Sequence, residues 1–138
     1  MPQVYITRRS TFSCAHRLHS PHLSDAENLR VFGKCNNLKG HGHNYVLEVT
    51  LKMPIDPRTG MAMNLVDLKS IIAEQFVDRV DHKHLDEDVA WFKGMPTTAE
   101  NIVVMAWNKI APHLPMGSLN EVRLQETENN VASYRGEP

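Results

Sequence analysis

Apolar and polar residues alternate along two stretches of the chain, a pattern typical of half-buried β-strands. The first covers residues 4–17 and puts Val4, Ile6, Phe12, Cys14 and His16 on one face. The second covers residues 41–53, where two histidines, Tyr45 and a run of aliphatic residues share one parity. Weaker alternation predicts two further strands, at residues 120–126 and 131–135.

Two other stretches have a helical period. Residues 64–80 carry an apolar stripe, with Asn64 as the N-cap and Asp67 at the capping-box position. A second helix is predicted to begin near Thr97, with Glu100 as its capping-box partner, and its stripe continues to Leu114. Residues 18–40 and 81–96 have no sustained period, so we expect long loops there, which are usually functional. The order β-β-α-α-β-β predicts an α+β fold with an antiparallel sheet.

Composition limits the classes of protein that fit this pattern. The 138 residues fit a single domain, residues 1–138, and 41% of them are apolar and 22% charged. A net charge of −1 argues against a broadly basic nucleic-acid binder. No apolar run is long enough for a membrane span, and no targeting signal is evident. The two cysteines do not indicate a secreted disulfide framework, so we expect a cytoplasmic protein.

Histidine is over-represented, with eight residues, five of them between positions 16 and 43. His41 and His43 are two apart on a predicted strand, so their side chains leave one face. His16, at the end of the first strand, is a candidate third ligand. Three histidines with an open fourth position are typical of catalytic zinc. The alternative is that these are strand histidines bonded to backbone, and we expect His19 and His22 to be solvated.

Three further positions carry candidate chemistry. Cys35 lies near Lys34 and Lys39, which favour the thiolate, although a loop thiol without function is the alternative. Asp81 is placed to orient His82 as an acid–base partner just past a helix end; the alternative is that this segment is only a polar cap. Cys14, among apolar neighbours, is interpreted as a small core residue.

Glu126 continues the face of Val122 and Leu124, so we expect it to point inward. A buried carboxylate needs a partner. A ligand with two parallel N–H donors, such as the amino-pyrimidinone edge of a pterin or guanine, satisfies it in bidentate fashion. A salt bridge to Arg123 or Arg135 is an equal alternative at this point.

Several ordered motifs resemble the 6-pyruvoyl-tetrahydropterin synthase family over about residues 11–136. They are Phe12-Ser13-Cys14-Ala15-His16-Arg17-Leu18, Phe32-Gly33-Lys34-Cys35-Asn36-Asn37, Gly40-His41-Gly42-His43-Asn44-Tyr45, Asp81-His82-Lys83, Thr98-Ala99-Glu100-Asn101 and Glu126-Thr127. The resemblance implies a T-fold, in which a four-stranded antiparallel sheet carries two helices on one face. It also implies that three sheets join into a barrel, that two trimers stack into a homohexamer, and that active sites lie at subunit interfaces.

The resemblance further implies a role for each matching residue. His16, His41 and His43 correspond to zinc ligands, Cys35 to the general base, and Asp81 and His82 to its proton-transfer partners. The pterin ring would be held by Glu126 and by Thr97, Thr98 and Glu100. The implied enzyme is a carbon–oxygen lyase that converts 7,8-dihydroneopterin triphosphate to 6-pyruvoyl-tetrahydropterin and triphosphate, in tetrahydrobiopterin biosynthesis.

One Zn²⁺ per subunit is implied, with Mg²⁺ as a candidate companion of the substrate triphosphate. By position alone, Arg17, Lys34 and Lys39 are candidates to bind that triphosphate. Cys14, Ala99 and His84 depart from the residues usual in the family. Two other functions remain open. One is 6-carboxy-tetrahydropterin synthase of the queuosine pathway, in which the cysteine lies closer to the His-Gly-His motif, and the other is a non-catalytic zinc- or pterin-binding protein.

Overall fold

A computed structural model describes all 138 residues and contains one four-stranded antiparallel sheet. The strands are hydrogen-bonded in chain order, so each is next to the one that precedes it: β1 (Gln3–His16), β2 (His41–Pro54), β3 (Leu119–Thr127) and β4 (Asn130–Tyr134). The predicted α+β fold with an antiparallel sheet is therefore confirmed, with strand ends that shift by a residue or two.

Five helical segments accompany the sheet: α1 (Asp25–Phe32), α2 (Leu65–Ile72), α3 (Asp78–Val80), α4 (Leu85–Asp88) and α5 (Ala99–Ile110). A π-helical turn, Ala73–Val77, joins α2 to α3, so the two form one continuous helix that ends at Val80 as predicted. Asn64 caps it by accepting a hydrogen bond from the Val66 N–H at 2.9 Å, whereas Asp67 makes no reciprocal bond. No helix is long and apolar enough to cross a membrane.

The continuous helix formed by α2, the π-helical turn and α3 packs with α5 on one face of the sheet, and together they bury this face. The inward residues of β2 from Tyr45 to Leu51 are fully buried. Phe12 stacks on Tyr45 with ring centroids 5.1 Å apart, and Phe76 of the π-helical turn meets the Phe12 ring edge-on at 5.8 Å. Aromatic pairs at these distances add to the stability gained by burial. The strand that begins with the His-Gly-His motif is therefore anchored in the core.

The predictions of continuous loops over residues 18–40 and 81–96 are wrong, since α4 and a 3₁₀ turn, Ala90–Phe92, lie within the second. Residues 25–32 form α1, and a 3₁₀ turn, Gly33–Asn36, follows it. Ser24 and Glu27 form a reciprocal capping box at the start of α1, each side chain accepting from the other's backbone N–H at 3.1 Å. The helix has only eight residues, too few for a convincing apolar period, so this capping box is its main signal in the sequence.

The predicted start of α5 is also one residue early. Its N-cap is Thr98, whose hydroxyl accepts a hydrogen bond from the Asn101 N–H at 3.2 Å. Glu100 is exposed and makes no capping-box contact. Thr97 is instead fully buried. The helix therefore begins beside the candidate metal site, with Thr97 facing inward.

Candidate active site

The three candidate zinc ligands converge because of how β1 pairs with β2. The pairing runs without interruption from Gln3 opposite Pro54 to His16 opposite His41. His43 lies two residues along β2 and is opposite Cys14, so all three rings leave the same face. One ring nitrogen from each histidine lies within 4.8 Å of the others, and the Nε2 atoms of His16 and His41 are 3.2 Å apart.

Burial keeps the innermost imidazole neutral. His16 is fully buried, and this lowers its pKa to about 4. The pKa of His41 is lowered by burial and by the neighbouring His43, although the negative charge of Glu126 opposes the shift. Because a neutral imidazole has a lone pair to give, this environment prepares the rings for a metal ion.

The donor set fits zinc. Tetrahedral zinc with Zn–N bonds of about 2.0–2.1 Å separates its nitrogen ligands by roughly 3.3 Å, close to the 3.2 Å between His16 and His41. The Nε2 atom of His43 is buried and has no hydrogen-bond partner, which a metal ion would supply. Cys14 is outside the donor set and belongs to the core cluster, where burial raises its pKa to about 12.

The turn that carries Cys35 is tied to the end of β1. The Leu18 N–H donates to the Cys35 carbonyl at 2.9 Å, and the Asn36 amide donates to the Leu18 carbonyl at 2.7 Å. Arg17 closes the connection, since its Nε–H donates to the Asn36 carbonyl at 2.9 Å. The half-buried thiol is therefore attached to the segment that directly follows His16, through a residue, Asn36, that the sequence did not single out.

The histidines of this loop differ from the prediction in one case. His22 is exposed, as expected, but His19 is half-buried and its Nδ1 lies 3.1 Å from the Asn36 amide nitrogen. His19 therefore takes part in the hydrogen bonds that hold the Cys35 turn against the residues after β1. These bonds converge on Asn36, a buried polar residue whose partners all lie between Arg17 and the turn itself.

Glu126 has no ion pair within the chain. Arg123 pairs instead with Glu48 at 3.6 Å, and Arg135 with Glu121 at 2.6 Å. Glu126 lies where the register between β3 and β4 shifts, an irregularity that re-aims a side chain. It is close enough to His41 for its charge to act on that ring. The salt-bridge alternative is therefore absent from this structure, and the carboxylate is free for a ligand.

Glu126 lines a hollow of about 710 Å³, a size suited to a small-molecule ligand. Thr98, Ala99 and Glu100 form another part of the wall, where the first backbone N–H groups of α5 lack helical partners. Thr97, also expected at the ring, does not line this hollow. Its carbonyl accepts a hydrogen bond from His16 Nδ1 at 2.7 Å and its hydroxyl donates to Asp86 at 3.0 Å. Both polar groups of Thr97 are therefore already hydrogen-bonded within the chain, next to His16.

Asp81 and His82 form the expected pair, but away from the three histidines. The His82 Nδ1–H donates to Asp81 Oδ2 at 3.0 Å, while Asp81 Oδ1 accepts from the Ser13 N–H at 2.9 Å, and these bonds lower the pKa of Asp81. His82 has a φ of 63°, the only non-glycine residue with a positive value, which marks a constrained position.

The His82 ring is mostly exposed, in a hollow of about 440 Å³ whose wall includes Ser13, Ala15 and Asn44 and is also bordered by Cys14 and His43. The side chains of Ser13, Ala15 and Asn44 alternate with those of the histidines, so they leave the opposite face of the sheet. One chain therefore brings together the histidines, the Cys35 turn and Glu126, but not His82.

Fold and site together define a class of protein: an antiparallel α+β domain with a three-histidine group that could hold a metal ion, beside a hollow that contains an unpaired carboxylate. A family model described as 6-pyruvoyl tetrahydropterin synthase matches residues 5–137. The chain belongs to the 6-pyruvoyl tetrahydropterin synthase family.

Individual relatives are similar to this chain over nearly its whole length. The chain is 54% identical over 136 residues to the 6-pyruvoyl tetrahydrobiopterin synthase of Drosophila melanogaster, a match that covers 98% of this chain and 81% of the fly protein. It is 50% identical over 135 residues to the Homo sapiens protein of that name, with 98% and 93% covered. The structure of Caenorhabditis elegans 6-pyruvoyl tetrahydropterin synthase superposes with a TM-score of 0.95 at 44% identity, covering 99% of this chain and 98% of that one.

Proposed function

We propose that this protein is a zinc-dependent lyase that converts 7,8-dihydroneopterin triphosphate to 6-pyruvoyl-tetrahydropterin and triphosphate. The observation that carries the proposal is Glu126, an inward carboxylate without an ion pair, which lines a ligand-sized hollow beside the three histidines. The curated relatives named above support the substrate class, because their names specify tetrahydrobiopterin synthesis.

His16, His41 and His43 would hold the zinc ion, in a donor geometry that suits it. When bound, zinc acts as a Lewis acid on the side-chain hydroxyls of the substrate. Mg²⁺ is a candidate companion of the triphosphate. Arg17, already bonded to Asn36, is less free to reach that triphosphate than Lys34 and Lys39, which are both exposed.

Glu126 would bind the pterin ring by accepting two parallel N–H bonds, with Thr98 and Glu100 at the other wall of the hollow. Cys35 would act as the base that removes a proton from a side-chain carbon. The proton-transfer partner would be His82, whose Nε2 is free because its Nδ1–H is bonded to Asp81. Triphosphate is eliminated, the pterin ring is reduced and its side chain is oxidised. Because both changes occur within one molecule, no external oxidant is required.

The two faces of the sheet would act in different active sites. Because His82 lies on the face opposite the histidines, it would serve the active site of a neighbouring subunit. The resemblance to the family implies this arrangement through a barrel of three sheets and a homohexamer of two trimers. The outer edge of β4, and that of β1 before Ser13, have no strand partner within the chain, which supports such closure because unpaired edge strands readily pair with another chain.

A 6-carboxy-tetrahydropterin synthase is the nearest alternative, and one assay separates the two reactions. Purified protein is incubated with 7,8-dihydroneopterin triphosphate, and the product is identified by mass spectrometry. We expect the pyruvoyl product, because five residues separate Cys35 from His41 here, more than the carboxy enzymes have. A carboxy product with release of acetaldehyde would contradict the proposal.

The same assay tests Cys35 against a non-catalytic binding role. We expect Cys35→Ala to lower turnover roughly 10²–10⁴-fold, the usual contribution of a positioned base, and to retain zinc. Cys14→Ala is the matched control, because Cys14 is buried in the core outside the donor set. Equal turnover in wild type and Cys35→Ala would remove Cys35 from the reaction.

A further inference from the structure

The ring of His16 is held from behind by Thr97. The His16 Nδ1–H donates to the Thr97 carbonyl at 2.7 Å, and because a carbonyl can only accept, Nδ1 must carry the proton. The neutral ring then has its lone pair on Nε2, the atom that lies 3.2 Å from His41 Nε2. The Thr97 carbonyl therefore selects the tautomer and the ring orientation that a metal requires.

Asp86 in turn holds Thr97 and the backbone beside His16. One carboxylate oxygen of Asp86 accepts from the Thr97 hydroxyl at 3.0 Å, and the other accepts from the Arg17 N–H at 2.7 Å. His84 Nδ1, at 3.8 Å, is too far away to compete for these oxygens. Asp86 is thus joined both to the residue that orients the His16 ring and to the residue that follows His16 in the chain.

We propose that Asp86, acting through Thr97, is a positioning residue for the metal site. This inference rests on the proposed function, because it requires that the histidines bind zinc. The bonds from Asp86 are hydrogen bonds to a carboxylate, which are stronger than neutral ones. They hold Thr97, whose carbonyl bonds to the His16 ring, and the backbone of Arg17, which follows His16, although Asp86 is not among the three candidate ligands.

The experiment compares Asp86→Asn with Asp88→Asn. Both carboxylates belong to α4, and Asp88 makes a comparable bond, accepting from the His84 N–H at 2.9 Å, but it has no hydrogen bond to Thr97 or Arg17. Zinc dissociation constants are measured by competition with a chromogenic chelator. We expect about 10- to 100-fold weaker binding in Asp86→Asn, the usual effect of losing an outer-shell partner, and wild-type binding in Asp88→Asn.

A second pair of variants tests the Thr97 link separately. Thr97→Val removes the hydroxyl that bonds to Asp86 and keeps the shape, so we expect weaker zinc binding and altered visible bands in the cobalt-substituted protein. Thr97→Ser keeps the hydroxyl and is expected to restore both. Neither effect is expected from a simple loss of packing.

The results that these variants can give are distinguishable. If Asp86→Asn and Asp88→Asn bind zinc equally well, the bonds of Asp86 do not position the metal site and the inference is wrong. If Asp86→Asn fails to fold, the Thr97 pair decides, and equal zinc binding by the valine and serine variants overturns the inference. If wild type binds no zinc, the proposed metal function itself fails.

Discussion

His16 is the candidate ligand whose surroundings differ most from water. It is fully buried, and two other imidazoles lie with ring centroids 4.7 and 5.1 Å away. A positive charge in this position is unfavourable, so the ring stays neutral and available to a metal. The same property has a cost for the metal-free protein in acid.

We predict that the metal-free protein loses stability between pH 6.5 and about 4. The pKa of His16 falls from 6.5 to about 4 on folding. As the pH drops through 6.5, the unfolded chain therefore takes up the proton first, and stability is lost until the folded protein is protonated near pH 4. The contribution is intact above pH 6.5 and amounts to roughly 3 kcal/mol at most.

Urea unfolding with a chelator present, at fixed protein concentration and several pH values, measures this loss. His16→Asn removes the titrating group, so the difference between the two slopes isolates the contribution of His16. The prediction is wrong if both proteins have the same pH dependence over this range.

At the level of elements, the three-histidine group depends on the close approach of the β2 start to the end of β1. Gly40 lies at this approach with a φ of +79°. A Cβ atom there would lie 2.5 Å from the His16 carbonyl oxygen, which is backbone and cannot move aside easily. Glycine is therefore required both by the backbone conformation and by the space.

We predict that Gly40→Ala weakens zinc binding and destabilises the fold more than Gly60→Ala does. Gly60 is the matched control, since its φ is +73° but a Cβ atom added there would have no neighbour within 4 Å. Gly60→Ala should cost about 1–2 kcal/mol from backbone conformation alone, and Gly40→Ala about 1–3 kcal/mol more from the clash. Urea unfolding and chelator competition measure the two effects, and equal losses would contradict this account.

Strand alternation was sufficient to predict the histidine face, because the period of two is a fixed property of extended backbone. It did not reveal α1, which is too short to establish a helical period. The helical pattern also misassigned Thr97, because either threonine can cap a helix. What distinguishes Thr97 is a contact with His16, 81 residues away in the chain. Such a contact depends on tertiary packing and leaves no local signal.

The fate of Glu126 was likewise undecided by sequence. Two arginines were near enough to pair with it, and each instead meets a carboxylate on its own face of the sheet, Glu48 or Glu121. These pairings follow from the register between the strands, which the sequence of each strand does not define by itself. The unpaired carboxylate, the strongest support for a ligand, therefore required the structure.

Across the whole molecule, the candidate catalytic groups lie on both faces of one sheet. The segment that carries His82 runs along the β1 edge: its N–H donates to the Ser13 carbonyl at 2.6 Å, and the Ala15 N–H donates to the Lys83 carbonyl at 2.9 Å. These bonds hold the segment at the edge of the sheet, and the His82 ring lies in the hollow that Ser13, Ala15 and Asn44 line on the face opposite the histidines. If both groups act in one reaction, two subunits must contribute to each active site.

We predict that two inactive variants recover activity when their subunits are mixed. Cys35→Ala and His82→Ala chains are each expected to be nearly inactive. In randomly mixed oligomers about a quarter of the active sites combine an intact Cys35 from one chain with an intact His82 from its neighbour, so activity should approach a quarter of the wild-type value. The variants are unfolded together, refolded, and assayed beside each variant refolded alone. A mixture no more active than its components would mean that each chain builds its active site alone, and would require His82 to reach the histidine face by a change of conformation.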